Sequence, residues 1–153
     1  MGDRMKQAVI ALLLAAAPAA ASPKSEVLAA TNSFMAALNR GDVAAAEAFT
    51  HPALTIQILR FPPEGGSRFQ TLTRSQLFDN FRNAPPRKFD EGLVKTKLLI
   101  TRDFAHVWAP YTLDIDGKRI HCGVDSFGWS KVDGQWRMTS FAWTADPKGC
   151  PPK

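Results

Sequence analysis

The chain has 153 residues, 45% of them hydrophobic, which is enough for one domain around a packed core. Its formal charge is +5, but the bases are scattered as pairs such as Arg60 and Arg68, Arg87 and Lys88, and Lys118 and Arg119. With no basic block and no aromatic-basic motif, a nucleic-acid partner is not expected.

At the N-terminus, Arg4 and Lys6 precede the apolar run AVIALLLAAA, and Ala19, Ala20 and Ala21 form a small-residue cleavage pattern. Residues 1–21 therefore read as a signal peptide cleaved near Ala21. The run is far shorter than the roughly 20 residues that span a bilayer, so stable membrane insertion is not expected. Its removal leaves a single domain over residues 22–153 with a formal charge of +4, periplasmic or secreted.

Ser22 caps a first helix with Pro23 at its first position, and Val27, Thr31, Phe34, Met35 and Leu38 recur at helical spacing up to Gly41. Asp42 caps a short second helix through Phe49, which His51-Pro52 breaks. Leu54, Ile56 and Ile58 alternate as a strand, and Pro62 to Gly66 returns it to a second strand near Phe69 to Leu72. Thr73 and Gln76 stand at capping-box spacing, with Leu72 and Leu77 at the staple positions of a third helix that buries Leu77, Phe78 and Phe81. After Asn83, Pro85 and Pro86 the pattern is strand: 89–101, 104–115, 118–130 and 135–145. Asp116-Gly117 and Asp133-Gly134 mark two-residue hairpin turns. Helices first and a long antiparallel meander last give an α+β layer architecture.

This order of elements, with FAHVWAPYTLDIDGKRIHCGVDSFGWSKVDGQWRM at its centre, resembles the nuclear transport factor 2-like superfamily, in particular its exported lumazine-binding or polyketide-cyclase-like members. The resemblance implies a cone-shaped curved antiparallel sheet wrapped around N-terminal helices, a pocket in the cone, and dimerisation through the outer sheet face. It does not imply a chemistry, because that fold hosts isomerases, dehydratases, epoxide hydrolases and plain binders. No Tyr-plus-two-Asp arrangement of the isomerase branch can be matched here residue by residue, so no catalytic residue is transferred.

The stretch HCGVDSFGW, residues 121–129, is the most chemically loaded. His121 and Asp125 share a strand face but lie roughly 13 Å apart along it, too far for a direct hydrogen bond. Tight turns predict that Trp108 faces Asp125, Thr112 faces His121, Asp125 faces Ala142 and Asp114 pairs with Arg119, unless a β-bulge shifts them. One face then carries Trp108, Gly123, Asp125, Phe127, Trp129, Trp136, Met138 and Ala142. The other carries Val107, Ala109, Tyr111, Leu113, Ile115, Ile120, Cys122, Val124, Phe141 and Trp143. The first is expected to line the cone and the second to bury a homodimer interface; the reverse assignment would put Tyr111 and Trp143 in the pocket.

The expected ligand pocket comprises Trp108, His121, Asp125, Phe127, Trp129 and Met138. It suits a small apolar or aromatic molecule oriented by Asp125, so the chain reads as an exported small-molecule-binding or accessory domain. The other reading is a cofactor-free lyase, isomerase or cyclase with Asp125 as general acid or base, its pKa raised by burial. His51, His106 and His121 have no metal-ligand spacing, and neither a metal nor a cofactor is expected. Cys122 and Cys150, the only cysteines, are expected to form a disulfide in an oxidising compartment, with Cys122 opposite Ala145.

Overall fold

The computed structural model describes residues 21–152. The expected signal peptide lies outside the described residues apart from Ala21. The elements are α1 (Pro23–Asn39), α2 (Val43–Ala48), β1 (Thr50–Arg60), β2 (Arg68–Thr73), α3 (Arg74–Asn83), β3 (Phe89–Leu93), β4 (Lys97–Thr101), β5 (Phe104–Ile115), β6 (Lys118–Val132) and β7 (Gln135–Ala145).

The helix ends form where local chemistry dictates. Ser22 Oγ accepts from Ser25 N at 3.2 Å at the start of α1, and Asp42 Oδ1 accepts from Ala45 N at 3.0 Å at the start of α2. At α3 the capping box closes in both directions, Gln76 N to Thr73 Oγ1 and Thr73 N to Gln76 Oε1.

The seven strands make one curved, unclosed sheet in the order β2-β1-β7-β6-β5-β3, with β4 also paired to β5. It is mixed rather than wholly antiparallel as expected, because β1 runs parallel to β7. The cause is local: Met138 N bonds to Phe49 O at 2.9 Å, which seats the end of α2 beside the first half of β7 and starts β1 in the same direction. The expected strand over 89–101 is two strands, with Lys95 at φ 47° between them. Pro110 of β5 accepts Val94 N at 2.7 Å but has no N–H to return on that side, so the edge ladder breaks opposite it.

α1 packs into the concave face. Phe34 meets Phe127 and Phe141 edge-on at 6.3 and 5.8 Å, and those two rings stack at 4.9 Å. Burial of each such ring is worth about 1.5–3 kcal/mol. Glu26 Oε2 accepts from both Lys131 Nζ and Trp136 Nε1 at 2.9 Å, latching the start of α1 to the β6–β7 hairpin.

Two single-residue bulges decide which side chains face inward. Between β5 and β6 the pairs run Leu113 with His121 and then Asp114 with Arg119, so Ile120 is the extra residue. Between β6 and β7 they run Gly128 with Ser140 and Trp129 with Met138, so Thr139 is extra. Beyond each bulge the register moves by one residue and the partner strand's faces exchange. Asp125 consequently faces Ala109 and Trp143 instead of Trp108 and Ala142, and His121 faces Leu113 instead of Thr112. The concave side combines residues expected on opposite faces: Asp125, Phe127, Trp129 and Met138 with Val107, Tyr111, Leu113, Phe141 and Trp143. Val107, Leu113 and Phe141, expected at a dimer interface, are buried in the cone, while Trp108 lies on the convex face, 46% exposed. The Asp114–Arg119 ion pair forms as expected, on the turn side of the first bulge.

Cys122 and Cys150 form a disulfide with a Cα–Cα separation of 5.0 Å. The second bulge moves Cys122 opposite Asp146 rather than Ala145, and their backbones exchange hydrogen bonds at 3.1 and 2.8 Å. The bridge ties the tail after β7 to the sheet. Among the described residues no helix is long and apolar enough to cross a membrane.

Candidate functional site

A cavity of about 160 Å³ opens in the cone between the end of α1 and the halves of β5, β6 and β7 nearer the disulfide. Its apolar walls are Leu38, Phe81, Phe89, Leu113, Phe141 and Trp143, and its polar groups are Arg60, Glu91, Tyr111, His121 and Asp125. Leu38, Phe81 and Phe89 also line an outer groove of about 650 Å³, so the two spaces share a wall.

Of the residues expected in the pocket, the structure brings His121 and Asp125 to this cavity. Phe127, Trp129 and Met138 are fully buried in the core. Trp108 is on the opposite side of the sheet. His106 bonds to Ser126 Oγ at 3.1 Å and His51 Nδ1 accepts from Ala53 N at 3.1 Å, each away from the cavity.

Asp125 is 1% exposed, and β6 sets it between Ala109 and Trp143. Its neighbour in the cavity is Glu91 of β3, the two carboxyls standing close enough for each to act on the other. Asn39, on the last turn of α1, fixes the backbone from which Glu91 projects. Its side-chain amide donates to Glu91 O and accepts from Glu91 N, both at 2.9 Å.

Two neighbouring carboxyls taken out of water disfavour a second negative charge. Desolvation, then the charge of Glu91 and the bond to it, pushes Asp125 well above the ordinary carboxylate range. Desolvation also pushes Glu91 up, to about 7, against the lowering effect of the bond from Asp125. Asp125 Oδ2 is buried and meets no donor among the described residues. An ionised Asp125 would leave charge on that oxygen without a partner, whereas a protonated Asp125 leaves none. The proton therefore resides on Asp125, and Glu91 ionises first.

The second polar group is a chain of hydrogen bonds. Tyr111 O–H lies 2.6 Å from Thr144 O and 3.0 Å from His121 Nδ1. A carbonyl only accepts, so the phenol donates to Thr144 and His121 donates from Nδ1–H. This assigns the tautomer and leaves the lone pair on Nε2. Desolvation first, then the Arg60 charge, lowers the His121 pKa and holds the imidazole neutral. Desolvation and the charges of Asp125 and Glu91 raise that of Tyr111, which stays a phenol. Gly123 makes the arrangement possible: a Cβ there would stand 2.0 Å from Thr144 O, the atom that receives the Tyr111 proton.

Sequence reasoning missed Glu91 and Arg60, although period-two alternation marks both. Phe89, Glu91 and Leu93 share one side of β3, and Leu54, Ile56, Ile58 and Arg60 share one side of β1. Each is a charge within or at the end of an inward-facing apolar series.

A protein from Cytophaga hutchinsonii named as nuclear transport factor 2-like superimposes with a TM-score of 0.64 at 18% identity, covering 82% of this chain and 99% of its own. The fold is nuclear transport factor 2-like. Two further proteins with this fold carry named activities. A candidate dehydratase from Streptomyces avermitilis has a TM-score of 0.60 at 15% identity over 81% of this chain and 98% of its own. The beta subunit of a candidate aromatic-ring-hydroxylating dioxygenase from Novosphingobium aromaticivorans has a TM-score of 0.63 at 12% identity, over 80% and 88% respectively. No protein-family model and no curated protein matches the sequence.

Proposed function

We propose that this nuclear transport factor 2-like chain binds a small, compact, largely apolar molecule in its cone cavity and moves a proton on it, as a cofactor-free lyase or isomerase. The observation that carries this reading is the Glu91–Asp125 pair, two carboxyls lining one cavity with Asp125 only 1% exposed, so that burial raises the proton affinity of both. Neighbouring carboxyls whose environments separate their affinities supply a base and an acid at the same pH. Ionised Glu91 takes a proton from a carbon of the ligand. In an elimination the C–H electron pair becomes the new double bond, and the departing hydroxyl leaves as water with the Asp125 proton. Transfer of the proton gained by Glu91 to Asp125 restores the pair. In an isomerisation the proton returns to another carbon. The Nε2 lone pair of His121 is a second acceptor in the same cavity.

The candidate dehydratase supports a lyase by likeness of fold alone. The disulfide supports an exported chain, periplasmic or secreted, matured by cleavage near Ala21. The proposed homodimer surface is the convex face with Trp108 and Phe69, which are 46% and 66% exposed.

The test is carbon-13 NMR titration of carboxyl-labelled protein, together with turnover of small β-hydroxy ketones and enols by wild type and Asp125→Asn. A proton retained by the pair above pH 6, and turnover lost in a variant that still binds, are the expected results. Two carboxyls titrating near pH 4 would remove the acid and overturn the enzymatic reading, leaving a binding domain.

A further inference from the structure

Arg60 ends β1 on the same side as buried Ile56 and Ile58, at the mouth of the cavity. It is the only residue carrying a fixed positive charge among those lining the cavity, since His121 is neutral. No carboxylate among the described residues forms an ion pair with it. Among the described residues its side-chain partner is Gln70 of β2, whose Oε1 accepts from Nη1 at 3.0 Å. The guanidinium is thus aimed by β2 while its other N–H donors stay available, in the planar fork that matches an oxyanion. Below pH 7 the acids inside do not neutralise it, because Asp125 and Glu91 both hold their protons. The charge of Arg60 nevertheless reaches the cavity, where it acts on both His121 and Tyr111.

We propose that Arg60 is a specificity-determining residue that anchors a carboxylate on the ligand, so that the ligand class is a small aryl or alkenoic monocarboxylic acid. Its apolar body lies against Phe141 and Trp143, and its acid group stays at the mouth. The volume suits this class: about 160 Å³ is close to a cavity of roughly 150 Å³ that takes up benzene. The charge separation also fits, with the anion at the rim and the Glu91–Asp125 pair against the body of the molecule. This inference rests on the reading of the cavity as a ligand site and adds the chemistry of what enters.

The probes are benzoate and benzamide, matched in size and differing in charge. Binding is measured by NMR shift titration at pH 6, where Glu91 still holds its proton, to wild type, Arg60→Gln and Asp125→Asn. Benzoate should bind wild type about tenfold or more tighter than benzamide, as a charge-assisted Arg–carboxylate contact predicts. The preference should fall to parity in Arg60→Gln and persist in Asp125→Asn. Benzamide binding as well as benzoate, a preference that survives in Arg60→Gln, or no cavity shifts with either probe would each overturn the proposal. Failure here leaves the raised proton affinity of the pair measurable by carboxyl titration. A normal carboxyl titration would instead remove the acid–base reading and leave Arg60-dependent benzoate binding intact.

Discussion

Replacing Glu91 with glutamine should change the pH dependence of stability more than its size. In the unfolded chain Glu91 loses its proton near 4.5, whereas in the fold it keeps it up to about 7. Below 4.5 both states are protonated and the site carries no penalty. Between the two values the folded state holds a proton that the unfolded state has lost, so stability falls as pH rises, by about 1.4 kcal/mol per pH unit. Over a window from 4.5 to about 7 the loss reaches about 3 kcal/mol, complete once Glu91 is ionised. The amide introduced by Glu91→Gln cannot titrate and carries no charge, so this component vanishes in the variant together with the part of the Asp125 shift that Glu91 causes, while the other groups contribute to both profiles. The difference in unfolding free energy between Glu91→Gln and wild type should therefore move by about 3 kcal/mol in favour of the variant between about pH 4.5 and pH 8. In thermal melts this corresponds to a relative shift of roughly 10 °C for a domain of this size. Urea unfolding followed by tryptophan fluorescence at the two pH values measures it. Parallel pH profiles for the two proteins would refute the raised proton affinity of Glu91 beside Asp125.

In the proposed reaction kcat/KM should rise with pH through about 7 as Glu91 ionises, a profile that Glu91→Gln abolishes. Gly123→Ala forces the Thr144 carbonyl away from Tyr111; a loss of about 1–3 kcal/mol is expected for overpacking, with the His121 ring signals shifted in NMR. Asn39→Ala removes both hydrogen bonds to the Glu91 backbone; amide exchange at Glu91 should accelerate and the carboxyl pair should titrate closer to normal. Cys150→Ser opens a loop spanning a sequence separation of 28 and should cost about 3 kcal/mol, while the denatured, unreduced wild-type protein should show no reactive thiol. Trp108→Glu on the convex face should give a monomer by sedimentation, whereas a wild type that is itself monomeric at micromolar concentration would remove the proposed interface.

Much of the fold is legible because it rests on local rules. The caps at Ser22, Asp42 and Thr73, the turns at Asp116-Gly117 and Asp133-Gly134, and the alternation along β6 each depend on a few neighbouring residues. Those rules sufficed for the helices, the meander and the placement of Asp125 on an apolar face. Two cysteines in a chain that reads as carrying a leader were likewise enough to expect the Cys122–Cys150 bridge.

The site depended on what no local rule encodes. Extra residues at Ile120 and Thr139 bend the long strands around α1, and each exchanges the faces of everything beyond it. Only this double shift brings Tyr111 and Trp143 to the same side as Asp125. Glu91 and Arg60 come from strands towards the two ends of the sheet order, and their meeting with Asp125 and His121 is a product of curvature rather than of sequence neighbourhood. Local propensity and period-two burial, carried by single residues and their neighbours, made the elements readable from the sequence. The proposed acid–base site was decided by the tertiary structure, because carboxyls raise each other's proton affinity only where the curved cone brings them together and takes them out of water.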